Sequence, residues 1–102
     1  MANRKEKRLP PIHPGEVLEE VLHEAGLTVN ALALALRVPA NRIGAIVKGQ
    51  RGITADTALR LARYLGTSAQ LWMNLQAKYD LASAEDALKD RIESDVRPRS
   101  AA

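Results

Sequence analysis

Two short apolar-periodic segments lie only three residues apart within Leu27–Gly49, LTVNALALALRVPANRIGAIVKG, and nothing else in the chain limits the fold as much. The first, Val29–Leu36, places Leu32, Ala33 and Leu36 on one face. The second, Ala40–Lys48, turns Ile43 and Ile46 inward and leaves Ala40, Asn41, Arg42, Gly44 and Ala45 free. A connector as short as Arg37-Val38-Pro39 makes the two helices cross steeply, and the small Ala33 permits close approach. Helices of this length are marginal alone, so the pair needs a packed scaffold around it. Arg37, Arg42, Lys48 and Arg51 supply four positive charges with no acid between Leu27 and Ile53. That face seeks phosphate, and the steep crossing pushes the second helix outward, where it fits the major groove of DNA.

The whole chain sets the bounds. Its 102 residues suffice for one small domain with a single core. The apolar content comes from Leu, Val, Ile and Ala with three aromatic side chains and no Phe, which predicts packed helices. With no cysteine, neither a disulfide framework nor a thiolate metal site is open to it. No apolar run approaches the ~20 residues of a membrane span. The basic start lacks the apolar region of a signal peptide, so a cytoplasmic protein is expected. Charge is segregated: residues 1–8 carry +3 (Arg4, Lys5, Lys7 and Arg8 against Glu6), the stretch through Gly26 carries −4, and Leu27–Ile53 carries +4. Such segregation favours one basic face for nucleic acid and an acidic face turned away from it.

An all-α order follows along the sequence. Residues 1–12 form a basic arm in which Pro10-Pro11 bars helix, residues 13–81 the DNA-binding domain, and residues 82–102 a C-terminal helix and frayed tail. His13 stands in the capping position before Pro14, and Val17, Leu18, Val21, Leu22 and Ala25 make one stripe stopped by Gly26. Thr28 caps the second helix. After the turn Gly49-Gln50-Arg51-Gly52, Thr54 caps a fourth over Ala55–Leu65 with Ala58, Leu61, Ala62 and Leu65 inward, ended by Gly66. Thr67-Ser68-Ala69-Gln70 fits a capping box for a fifth helix through about Tyr79. Ser83-Ala84-Glu85-Asp86 opens a separate last helix with Ala84, Leu88 and Ile92 four apart.

With the second and third helices as reader, this order resembles the phage-repressor (Cro-like, XRE) class of helix-turn-helix proteins. The strings His13-Pro14-Gly15-Glu16, Gly49–Ala62 (GQRGITADTALRLA) and Trp72-Met73-Asn74-Leu75-Gln76 with Tyr79-Asp80-Leu81 resemble HigA-type antitoxins more closely, over Ile12–Leu81. The resemblance implies a homodimer that represses its own operon and neutralises a RelE-like ribonuclease toxin. Two positions depart from the pattern: Arg37 replaces the usual turn Gly, and Pro39 replaces a Ser or Thr cap on the reader. If Arg37 takes positive φ it carries modest strain, and Pro39 offers no side-chain acceptor.

The candidate DNA contacts are Thr28, Asn30, Ala40, Asn41, Arg42, Gly44, Ala45, Lys48 and Arg51. The Asn41 amide can pair bidentately with adenine, while Arg42 reaches guanine or a phosphate. Ala40 and Ala45 offer methyl contacts, Gly44 lets the backbone approach, and Thr28 and Asn30 suit phosphate at a helix amino terminus. Lys48 and Arg51 are phosphate anchors; solvated surface charge is the plain alternative for them and for Arg42. So few hydrogen-bonding groups leave much of the specificity to DNA shape and dimer spacing.

Other constellations are weaker. His13 and His23 with the nearby glutamates lack the spacing that zinc favours, no cofactor signature occurs, and no nucleophile–base set suggests an enzyme. Asp56 reads as a first-turn acid suited to the dipole of its helix. Trp72, Leu75 and Tyr79 either complete the core or form a self-association surface. Glu16, Glu19, Glu20 and Glu24 are either a solvated face or the complement of a small basic ribonuclease. A stand-alone repressor without a toxin, or a protein-binding inhibitor without DNA affinity, fits the helix pair as well.

Overall fold

The computed structural model describes residues 9–100; the charges expected of the arm at Arg4, Lys5, Glu6, Lys7 and Arg8 lie outside the described residues. Those residues form five helices and no strand: α1 Pro14–Ala25, α2 Val29–Leu36, α3 Ala40–Val47, α4 Ala55–Leu65 and α5 Ala69–Asp95. Local chemistry fixes nearly every boundary. Glu16 and His13 form a reciprocal capping box: the His13 Nδ1 accepts from the Gly15 amide at 2.8 Å, and the Glu16 carboxylate accepts from the His13 amide at 3.2 Å. Thr28 and Thr54 accept from the amides of Ala31 and Thr57, and Gly26 and Gly66 end α1 and α4 in the left-handed conformation.

The core is one cluster: Leu18 and Leu22 of α1, Leu32, Ala33 and Leu36 of α2, Ile43 and Ile46 of α3, Ile53, Ala58 and Leu61, and Trp72 of α5. The side chains expected inward on α2 and α3 are all there. Val17, Val21, Ala62 and Leu65 are half-buried at its margin, and Ala25 is exposed.

Two expectations at the carboxy-terminal end need correction, and of the two readings of Trp72 the self-association surface falls. The break before Ser83 is absent, and Ala69–Asp95 is one helix of 27 residues. Asp80–Glu85 contains neither Gly nor Pro, and its Leu, Ala and Glu favour helix, so the Ser83 capping option is outweighed. The cap of α5 is Ser68, whose Oγ accepts from the Leu71 amide at 3.0 Å, rather than Thr67. The Thr67 hydroxyl instead accepts from Trp72 Nε1 at 2.8 Å. Trp72 is 1 % exposed and belongs to the core, so it has no surface to offer a second copy. Leu75 and Tyr79 are half-buried, lining a shallow apolar groove with Pro11, Ile12 and Val17, and the Tyr79 ring meets His13 edge-on at 4.8 Å. Beyond Ser83 every described residue of α5 is exposed, so its last turns extend past the core.

Candidate nucleic-acid interface

The reader is held from behind by a glycine. A Cβ on Gly15 would lie 1.9 Å from the carbonyl oxygen of Ile46, so the start of α1 rests directly on backbone in the last turn of α3. His13 extends this joint, with its ring 3.9 Å from where a Cβ on Gly49 would stand. From the far side, Gln76 of α5 accepts from the Ile53 amide at 2.7 Å and donates to Asp80 at 2.9 Å, tying down the turn after α3. Two of these contacts end on backbone, at Ile46 and Ile53, and they add to the burial of Ile43 and Ile46 in setting the pose of α3.

The connector behaves as its residues suggested. Arg37 adopts φ 62°, ψ 44°, the one non-glycine residue at positive φ among those described. Its amide bonds back to Leu34 and that of Val38 to Ala33, closing the end of α2 as a glycine would. Pro39 precedes α3 at φ −62° and ψ 144° with no side-chain cap. The Arg42 amide turns back to the Pro39 carbonyl at 3.1 Å, and the amides of Ala40 and Asn41 ahead of it point toward solvent or an anion.

The outward face of α3 carries Ala40 and Asn41, both exposed, with Gly44 and Ala45 half-buried beside them. Nothing but Val29 Cγ1, at 4.0 Å, comes near the space a side chain on Gly44 would take. Thr28 and Asn30 stand exposed at the start of α2, and the Thr28 hydroxyl, which accepts from Ala31, still has its proton to donate. Lys48 and Arg51 are exposed after α3. The sequence-derived residues other than Arg42 thus stand exposed or half-buried on two helices that pack against each other and on the turn that follows.

Arg42 is the exception. Its Nη1 donates to Asp56 Oδ2 at 2.6 Å, and its side chain is only 24 % exposed. Asp56 is shared: both its oxygens lie 3.1 Å from Arg60 Nε, and Arg60 Nη1 donates to the Leu36 carbonyl at 2.8 Å. The hydrogen bonds from Arg42 and then from Arg60 hold the Asp56 carboxyl below its ordinary range. This clamp links the end of α2, the start of α4 and the first turn of α3. Sequence reasoning placed Asp56 at a helix dipole and missed the clamp; the spacing of Asp56 and Arg60 was a usable sign, but Arg42 is fourteen residues from its partner.

The four glutamates of α1 do not act alike. Glu16 is engaged in the cap, whereas Glu19, Glu20 and Glu24 are exposed farther along the helix. Among the described residues no group of His, Cys, Asp or Glu is arranged to hold a metal ion, and no helix is long and apolar enough to cross a membrane.

Comparison with known proteins agrees with this architecture. The helix-turn-helix family profile matches residues 18–72. Virulence-associated protein I of Dichelobacter nodosus is 60 % identical over 78 residues, 76 % of this chain and 72 % of that protein. Antitoxin HigA-1 of Vibrio cholerae is 39 % identical over 79 residues, 76 % of this chain and 73 % of that protein. The structure of Pseudomonas aeruginosa antitoxin HigA with the higBA promoter superposes with a TM-score of 0.85 at 52 % identity, covering 88 % of this chain and 99 % of that one. The chain belongs to the helix-turn-helix family and, within it, to the HigA-type antitoxins.

Proposed function

We propose that the chain is an antitoxin that binds operator DNA as a homodimer, represses its own operon and neutralises a small basic ribonuclease of the RelE type. The observation that carries the DNA reading is the outward face of α3, where Asn41 stands exposed between phosphate-seeking groups at the start of α2 and after α3. In the proposed complex α3 enters the major groove and Asn41 pairs with an adenine edge. Ala40 and Ala45 supply methyl contacts, and the uncovered backbone at Gly44 permits close approach. Thr28 and Asn30 bind phosphate on one side of the groove and Lys48 and Arg51 on the other. The Pseudomonas aeruginosa relative, solved with its promoter, supports this reading.

Twofold pairing would set two α3 helices about 34 Å apart, one turn of DNA. With Trp72 inside the core, self-association falls to apolar side chains that one copy leaves uncovered: Leu34, Leu59 and Tyr64, or Leu81, Leu88 and Ile92 along α5. For the toxin, the exposed acids Glu19, Glu20 and Glu24 offer the complementary charge.

The test joins two measurements. Mobility shift on DNA upstream of the chain's own gene should show binding that Asn41→Ala weakens by about 1–3 kcal/mol while melting is unchanged. Co-purification with the product of the adjacent gene should recover a small basic protein. DNA binding without that partner would leave a stand-alone repressor; the partner without DNA binding would leave a pure inhibitor. Full promoter affinity in Asn41→Ala would remove α3's assigned reading face.

A further inference from the structure

The polar clamp on Arg42 has no part in packing the core, and its geometry has a consequence for how α3 discriminates among sequences. Arg42 stands in the first turn of α3, where a long cation on a projecting helix finds phosphate oxygens more readily than any one base edge, because every nucleotide offers them. An untethered guanidinium there adds affinity for all DNA alike. Here the guanidinium is tethered. Asp56 Oδ2 takes one N–H of Nη1 at 2.6 Å, and Asp56 cannot follow the arginine outward, because Arg60 holds both its oxygens at 3.1 Å and is itself held by the Leu36 carbonyl at 2.8 Å. That carbonyl closes α2, so the chain of contacts ends in backbone. A guanidinium has five donors in a planar fork, and one contact to Asp56 leaves a fork free for a bidentate acceptor such as the O6 and N7 of guanine. The Asp56 carboxylate, 54 % exposed beside a basic face, also repels any phosphate that Arg42 would otherwise take.

We propose that Asp56 is a positioning residue for sequence discrimination: it fixes the Arg42 guanidinium toward a base edge and withholds it from the phosphate backbone. The inference rests on the reading of α3 as the DNA-contacting helix. Arg60 serves the same end one step removed, by fixing Asp56. A residue there only to favour the dipole of α4 would act on stability and leave the preference of α3 untouched.

The experiment is selection from a random duplex library with the full chain, followed by titration of the selected duplex and of a scrambled one across a salt series. The proteins are the parent, Asp56→Ala, Asp56→Asn, Arg42→Ala and the Asp56→Ala/Arg42→Ala pair. The parent should enrich a sequence containing a guanine that Arg42→Ala no longer selects. Asp56→Ala should lower the ratio of selected to scrambled affinity at least tenfold while binding scrambled DNA as tightly or more tightly. Its salt slope should steepen by roughly one unit, as one more phosphate contact forms. Asp56→Asn, which keeps the shape and one acceptor, should fall between, and it carries the test if the alanine variant folds poorly. In the Arg42→Ala background the Asp56 change should be silent. An unchanged ratio in both Asp56 variants, an equal loss on both duplexes, or an effect that persists without Arg42 would overturn the inference while leaving α3 as reader. A parent that enriches nothing would overturn the DNA reading itself, and the inference with it.

Discussion

Gly15→Ala tests most directly whether backbone contact from α1 sets the pose of the reader. The new methyl would stand 1.9 Å from the Ile46 carbonyl oxygen and 2.8 Å from its carbon. A carbon and a carbonyl oxygen settle at about 3.3–3.6 Å, so the two helix ends must part by roughly 1.4 Å. The obstacle is backbone at the end of a helix, which no rotamer change can clear. Overpacking of this kind costs about 1–3 kcal/mol, and this overlap belongs at the upper end. Alanine regains about 0.5–1 kcal/mol over glycine inside a helix. The net loss is about 2 kcal/mol, which for a domain of this size lowers the melting temperature by about 8–16 °C. Gly44→Ala is the matched control, since its methyl would meet only Val29 Cγ1 at 4.0 Å and should raise the melting temperature by several degrees. Thermal unfolding followed by far-ultraviolet circular dichroism reads both. If Gly15→Ala melts within 2 °C of the parent (a shift of roughly half a kcal/mol), the α1–α3 contact does not constrain the fold as argued.

The connector yields a second expectation. Left-handed backbone costs an ordinary residue about 1–2 kcal/mol, and glycine gives back about 0.5–1 in the unfolded chain, so Arg37→Gly should stabilise by about 0.5–1 kcal/mol; a lower melting temperature would contradict it. Lys48→Ala and Arg51→Ala should weaken binding to all sequences alike and each flatten the plot of log K against log salt by about one unit, read in a salt titration. An unchanged slope returns both to solvated surface charge. The Asp56 carboxyl is held below its ordinary range, so its contribution to the fold is complete above the unfolded-state value of about 3.9 and fades only as pH falls through the lower folded value. Melting should therefore show no Asp56-dependent change between pH 5 and 8 (a window of about three units lying above the unfolded-state value), and a parent–Asp56→Ala difference that varies across it would refute the assignment.

Much of this fold is legible because its helix ends are written in single residues. His13 before Pro14, Thr28, Thr54, Gly26 and Gly66 each do locally what their chemistry predicts, and the short periodic segments leave no second way to bury Leu32, Leu36, Ile43 and Ile46. The reading fails where a local signal competes with a longer-range one. Ser83-Ala84-Glu85-Asp86 has the look of a helix start, but a helix already in progress has no reason to stop there. Thr67 fits the capping pattern yet goes to the Trp72 indole, because a buried N–H without an acceptor costs more than a cap one residue later. The site divides in the same way. Exposure of Asn41, Lys48 and Arg51 is legible along the sequence, whereas the pairing of Arg42 with Asp56 depends on how α3 and α4 each pack against α2, which no spacing encodes.

The placement of the motif strings has a physical explanation in these contacts. Gly49–Ala62 begins after α3, yet its residues serve the reader. Gly52 sits where a Cβ would come within 3.0 Å of the Gln76 amide, the group that fixes Ile53. Thr54 caps α4, Thr57, Ala58 and Leu61 enter the core, and Asp56 with Arg60 reaches back to α3 and α2. Gly15 and His13 close the other side. The frame is therefore specified by residues with fixed partners, and exchanging them disturbs backbone contacts, core volume or, at Asp56, the polar clamp. Asn41, Ala40 and Ala45 have few such partners, so the side chains that face the groove can change at little cost to the fold. An orientation set by the buried Ile43 and Ile46 and by backbone contacts around them lets the outward face of α3 be altered for a different DNA sequence without rebuilding the domain that presents it.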